Sequence, residues 1–314
     1  MKRINLFIPL LALVGIFLLF IYTTSPLDPS KEASQWNLNL YAGVAAVVVS
    51  LVLKKKGEFK DFFSVSSFKE AADRFAVGVI WGGIGIFALN YFLHGAVLLN
   101  ELVLTNLFGS VPPSFLASIT PEGAWFTVLV QPFTETLLIA MVIFIVYSFL
   151  SSKRVRGALF IALVVTGLAF SAFHFVSQGK YAYETSLSGY LNYLGDIEGY
   201  GKGGFPPSHY GGSCPSGTHF TASTGVCSYT GGLPLLFLGL LWGGLFIFYR
   251  NFLEPAGAHA FNNWAVLFFA SQLSLQVSTF VNLVGVVFVV VVAFSLWRNG
   301  LSVFTRVDGG RFFR

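Results

Sequence analysis

The 314-residue chain is 55% hydrophobic and only 11% charged, with 35 Phe and a mean hydropathy of +0.72. Soluble domains carry roughly 25% charged residues, so a soluble globule is excluded, and so apolar a chain cannot stay solvated as a disordered coil either. Its apolar runs are long and continuous, unlike the alternating strands of an outer-membrane barrel, which points to an all-α, polytopic transmembrane helical bundle.

A membrane-crossing helix needs about 20 mostly apolar residues. Eight runs qualify, in chain order Leu6–Tyr22, Leu38–Leu53, Phe75–Leu99, Trp125–Leu150, Gly157–Val176, Leu233–Tyr249, Pro255–Gln272 and Gln276–Trp297. The first follows Lys2 and Arg3 but exits through TTSPLDPS, without a small-x-small cleavage site, so it reads as an uncleaved helix and not as a signal peptide. Before the third run, Gly57–Asp73 interleaves Phe59, Phe62, Phe63 and Phe68 with Lys60, Asp61, Lys69 and Glu70. That pattern suits an amphipathic segment on the cytoplasmic surface, and equally a solvated loop with aromatic anchors.

With the N-terminus inside, 16 of the 19 Lys and Arg residues fall on the cytoplasmic side, leaving only Lys31, Lys180 and Lys202 outside. Anionic lipid and the membrane potential hold basic loops in the cytoplasm, so both termini are expected there, with the chain integral to the plasma membrane. The net charge of +5 is this bias spread over many loops, and it implies membrane lipids and no nucleic acid as partners.

The longest non-spanning piece, Gly179–Gly231, is rich in Gly and Tyr, is expected outside, and holds both cysteines, Cys214 and Cys227. An oxidising exterior permits a disulfide, and closing so short a loop would stabilise it by about 3 kcal/mol. His209 and His219 alternate with the cysteines, but their spacing fits no familiar paired-ligand zinc pattern, which leaves the disulfide as the better reading.

An ionisable group at the bilayer centre costs about 3 kcal/mol and usually faces a partner or a cavity. Glu135, in QPFTETLLIA, is the only carboxylate well inside a run. His174 lies in FSAFHF of the fifth run, and His259 with Asn263 in AHAFNN of the seventh. His259 and Asn263 are four apart and share a helix face, as do Phe170 and His174. A buried carboxylate can take a proton from water while an imidazole orients that water or donates to the leaving group, and a carboxamide can bind the developing oxyanion. No Gly-x-Ser-x-Gly motif and no cysteine within a run is present, so water is the candidate nucleophile. The competing explanation is helix–helix hydrogen bonding, which suffices for the companionless His94 but requires a coincidence on three helices for the others.

At these residues the chain resembles the CAAX prenyl protease and bacteriocin-processing (CPBP, or ABI) intramembrane proteases. Their signature is a Pro-preceded Glu-Glu-x-x-x-Arg block, then Phe-x-x-x-His, then His-x-x-x-Asn. Pro132-Phe133-Thr134-Glu135 looks like the approach to the first block, Phe170 to His174 matches the second, and His259 to Asn263 matches the third. The Gly-rich run from Phe237 onward is also similar, and the resemblance covers about Trp125–Phe269 without the external loop. It implies an intramembrane endopeptidase acting on a peptide or membrane-protein substrate. In that reading Glu135 and His174 activate water, and His259 and Asn263 bind the oxyanion or orient substrate. Either no cofactor is required, or one divalent metal such as zinc is held by Glu135, His174 and His259. The chain departs from the signature at Thr136, Ala140 and Met141, where the family has the second Glu, the Arg and a Gly. The lost Glu and Arg would have stood four apart as an ion pair, so losing both leaves no orphan charge.

The resulting organisation is a three-helix membrane region with the cytoplasmic amphipathic segment at 1–120 and a protease core formed by 121–178 and 232–297. The external loop 179–231 is inserted into that core, and a basic cytoplasmic tail follows at 298–314. The alternative is a catalytically silent membrane scaffold, immunity or assembly protein of the same fold. Transport is disfavoured, because one buried acid without an inverted repeat makes a thin ion pathway. One geometric demand stands out. Measured from their expected cytoplasmic ends, His174 and His259 differ in depth by about 15–20 Å at 1.5 Å per residue, and a common site requires that gap to close.

Overall fold

Long apolar runs without water to satisfy their backbone must hydrogen-bond internally, and they do so as helices. The computed structural model describes residues 4–5, 64–94, 121–178, 219–221, 226–228, 232–268 and 273–305, and it is mostly helical. The expected runs Leu6–Tyr22 and Leu38–Leu53 lie outside the described residues. So does Cys214, and with it the expected disulfide.

A two-residue strand β1 (Ile4–Asn5) pairs antiparallel with β2 (Ser64–Val65) just before helix α1 (Phe68–His94). The helix begins seven residues before the expected run at Phe75. Ser67 explains this: its Oγ accepts the Glu70 amide at 3.1 Å, while the Glu70 carboxylate reaches back to the Ser66 amide at 2.7 Å. This resembles a capping box, and it turns the second half of the expected amphipathic segment into the first turns of α1.

Helix α2 (Pro121–Trp125) passes through a π turn (Phe126–Val130) directly into α3 (Gln131–Ser152). Helix α4 (Ala158–Gln178) follows, then the antiparallel strands β3 (His219–Thr221) and β4 (Val226–Ser228), with Phe220 opposite Cys227. Helices α5 (Gly232–Tyr249), α6 (Leu253–Phe268) and α7 (Leu275–Asn299) complete the bundle, the last continuing as a 3-10 turn (Gly300–Thr305).

Two stretches, Gly123–Ser152 and Leu275–Phe304, are long and apolar enough to cross a membrane, and Ala158–Ala172 and Leu235–Tyr249 are apolar but shorter. Helix α7 shows Leu283, Val287, Val290 and Phe294 on its outside, a patch a soluble monomer would not leave uncovered. The chain is an integral membrane protein whose apolar exterior meets lipid.

Helix α6 is the exception. It touches α1, α3, the π turn, α5 and α7, and its first eight residues are all buried. At 1.5 Å per residue its 16 residues span only about 24 Å. It therefore serves as a core helix, covered by its neighbours from its first turn. Asn251 starts it, accepting the Leu253 amide at 3.0 Å, and Arg250 reverses the chain before it with a φ of 53°.

Helix α1 clamps α6 in two ways. Its glycines allow backbone-to-backbone packing: a Cβ on Gly78 would stand 2.0 Å from the Glu254 carbonyl oxygen, and one on Gly257 would stand 2.4 Å from that of Phe75. Small residues are the means by which membrane helices approach so closely. The second clamp is charged. Arg74 Nη1 donates to Glu254 Oε1 at 2.8 Å and Arg74 Nε to Glu70 Oε1 at 2.9 Å, while Asp73 pairs with Arg298 and accepts from Ser295 Oγ at 2.9 Å, tying in α7. Burial pushes the Glu70 carboxyl up, but the Ser66 hydroxyl and amide and Arg74 outweigh it and hold it below the usual carboxylate value. Burial likewise opposes the Arg74 charge, and Glu254 and Glu70 more than restore it.

Two consequences are measurable as thermal unfolding in detergent micelles. Gly257→Ala should destabilise by about 1–3 kcal/mol, because the methyl meets backbone that cannot yield. Arg74→Met should cost about 3–5 kcal/mol by leaving Glu254 buried and unpaired, and Arg74→Met with Glu254→Leu should recover most of that.

Candidate active site

The site grows from Pro132. In a continuous α-helix its ring would collide with the carbonyl of residue 128, and it has no N–H to donate. The chain avoids the collision by widening the preceding turn into π geometry, so that the Gln131 amide reaches back to the Phe126 carbonyl. The Thr127 carbonyl then loses its α partner, the Gln131 N–H, and its π partner is Pro132, which has none. Asn263 of α6 fills the gap, its Nδ2 donating to Thr127 O at 2.8 Å. Thus the proline of the first motif and the asparagine of the third are two halves of one backbone repair.

One turn after the repair, Glu135 points into the core, 5% exposed. Gln131 Nε2 donates to its Oε1 at 2.6 Å, and His259 Nε2 lies 3.5 Å from its Oε2. His259 is 2% exposed and lies face to face on Trp242 of α5, ring centroids 3.7 Å apart and planes within 15°. Phe170 of α4 presents its edge to both rings, 5.1 Å from Trp242 and 6.3 Å from His259. Four helices therefore meet at the Glu135–His259 pair.

The expected set comes together in large part. Glu135 and His259 are in contact range, and Asn263 sits one turn along α6 with an amide hydrogen committed to Thr127. The side chain of His174 lies outside the described residues; its backbone is in α4, four residues after Phe170. Phe170 packing on His259 sets the sixth residue on from Leu253 level with the middle of α4, one turn before His174. Thr136 and Ala140, standing where the family has Glu and Arg, are both fully buried, so this core has no ion pair to desolvate there. The side chains of His94 and Cys227 lie outside the described set.

Sequence reasoning missed Gln131 and Trp242. Gln131 stands four residues before Glu135, so the helical i, i+4 rule would have found it. Trp242 gave no local signal, because its contact with His259 spans two helices.

Among the described residues, no group of three or more His, Cys, Asp or Glu is placed to hold a metal. The two donors that are described nevertheless fit one. Tetrahedral zinc with bonds of about 2.0–2.1 Å sets neighbouring ligand atoms about 3.4 Å apart. Glu135 Oε2 and His259 Nε2 stand 3.5 Å apart.

A carboxylate buried against an imidazole, with amide donors beside them, thus lies inside a lipid-embedded helical bundle. Residues 120–265 match the family model described as Rce1-like, type II CAAX prenyl endopeptidase, so this core is similar to intramembrane proteases of the CPBP kind. Glu135, His174, His259 and Asn263 all fall within the matched residues. No curated protein and no solved structure matches the chain at a significant level.

The repair of Thr127 has its own test. Asn263→Ala should destabilise by about 1–3 kcal/mol, the cost of an orphaned buried acceptor. Pro132→Ala restores an N–H, so in the double variant the two losses should fall well short of additive in thermal unfolding. Full additivity would show that Asn263 and Pro132 act separately.

Proposed function

We propose that the protein is an intramembrane endopeptidase that hydrolyses a peptide bond in a membrane-associated peptide or protein with water activated by Glu135 and histidine. The observation that carries this is the buried approach of His259 Nε2 to Glu135 Oε2 at 3.5 Å. Gln131 holds one carboxylate oxygen, which turns the other toward His259. Glu135 takes a proton from water as the oxygen adds to the scissile carbonyl carbon, then passes it to the leaving amine when the C–N bond breaks. His259 steadies the charge of Glu135 through this exchange. His174 supplies the second imidazole, orienting the water. Asn263 acts by holding the turn that aims Glu135.

A divalent metal such as zinc would be held by Glu135, His259 and His174, and it would lower the pKa of a bound water. The matched family is described as a CAAX prenyl endopeptidase, so a prenylated peptide ending in CAAX is the first substrate to try. The distribution of Lys and Arg supports eight spans in the plasma membrane, both termini in the cytoplasm and the loop 179–231 outside.

The test is cleavage of an internally quenched, farnesylated CAAX peptide by the purified protein in proteoliposomes. Glu135→Ala, His259→Ala and His174→Ala should each lower kcat by about 10²–10⁴-fold. Undiminished turnover in Glu135→Ala overturns the mechanism. Loss of activity with a chelator, restored by zinc, assigns the metal-assisted form. Failure of the wild type to cleave any such peptide favours the silent scaffold, immunity or assembly role.

A further inference from the structure

Trp242 is 1% exposed, and its indole Nε1–H has no hydrogen-bond partner among the described residues. An indole nitrogen only donates, and buried indoles usually find an acceptor because leaving the N–H unmet costs about 1–3 kcal/mol. This cost is borne beside the reacting pair: the indole lies on the His259 imidazole at 3.7 Å between centroids and 15° between planes, with Phe170 fixing it edge-on at 5.1 Å.

We infer that Trp242 is a catalytic residue whose Nε1–H binds the carbonyl oxygen of the scissile peptide bond. This rests on the peptidase reading of the same site and adds to it the group that receives the oxyanion. The imidazole plane contains Nε2, which faces Glu135, so an activated water is held in or near that plane. The indole plane runs nearly parallel one ring-stacking distance away, and its N–H points within that plane. An oxygen held by this N–H and a water held by Glu135 and His259 thus occupy adjacent layers of one site, a ring-stacking distance apart. As the water oxygen bonds to the carbonyl carbon and its proton passes to Glu135, the carbonyl π pair moves onto the oxygen at Trp242. The donor strengthens its bond as that charge appears, which favours the transition state over the ground state. Asn263 has one amide hydrogen engaged by Thr127 and a second to offer, so Trp242 adds a donor to the one expected at Asn263.

Trp242→Phe keeps a ring on His259 and removes the donor together with the second ring of the indole. With the farnesylated CAAX peptide it should lower kcat by about 10²–10³-fold with KM nearly unchanged, whereas Trp242→Leu and Trp242→Phe, which differ in the cavity they leave and thus in unfolding temperature, should lose kcat equally. Retention of wild-type kcat overturns the inference. A second measurement does not depend on turnover. The Glu135→Ala protein is labelled with 5-fluorotryptophan, and the ¹⁹F resonance that disappears on adding Trp242→Phe identifies Trp242 among the 6 Trp. That resonance should shift with the intact peptide and stay in place with the same peptide carrying a methylene instead of the scissile carbonyl. No shift, or an equal shift with both peptides, overturns the assignment. If the wild type cleaves nothing, the peptidase reading falls, while the ¹⁹F comparison still decides whether Trp242 meets the carbonyl.

Discussion

One carbonyl oxygen that its own helix cannot satisfy sets the geometry of this protein. Pro132 stands inside a helix long enough to cross a membrane, and in a dry core the Thr127 carbonyl it leaves without a donor must be answered by another element. Asn263 answers it. Once that bond is made, α6 is registered against the π turn, and His259, one turn before Asn263, arrives beside Glu135, one turn after the break. The backbone repair and the acid–base pair are one arrangement, because the same two helices in the same register make both.

The rest of the bundle keeps α6 in place. A helix with Glu254, His259, Asn262 and Asn263 along its length would be a poor membrane span, and the structure removes it from lipid by surrounding it with α1, α3, α5 and α7. Glycines 78 and 257 let α1 lie against it backbone to backbone, and Arg74 neutralises Glu254 at its buried start. Helix α1 lies outside the residues that match the family, yet it supplies both contacts. The charged network at this end fixes the position of α6, and the aromatic stack around His259 fixes the plane of its imidazole.

Much of the site is legible in the residues alone. Glu135 is conspicuous because a lone carboxylate in an apolar run is costly, and the four-residue spacing of His259 and Asn263 places them on a shared helix face. The roles are less legible. Asn263 reads as an oxyanion donor, and its additional bond to the Thr127 carbonyl is not legible, because hydrogen-bond supply at a π turn depends on which carbonyl of a distant helix is left over. The cover over the seventh run is also not legible, because sequence registers apolarity but not which helices pack around a segment.

By itself the sequence determined the class of protein and its chemical inventory. Composition demands helices in lipid, basic residues bias the topology, and motif spacing places the polar groups on particular helix faces, all of which are local properties of residue type and periodicity. Only the tertiary structure decided which polar groups meet. The 3.5 Å approach of His259 to Glu135, the Trp242 ring beneath that imidazole and the Arg74–Glu254 clamp each join residues more than 15 positions apart, and nothing periodic along the chain encodes such distances. They follow from packing: where helices cross, and which buried donor is nearest to which unmet acceptor.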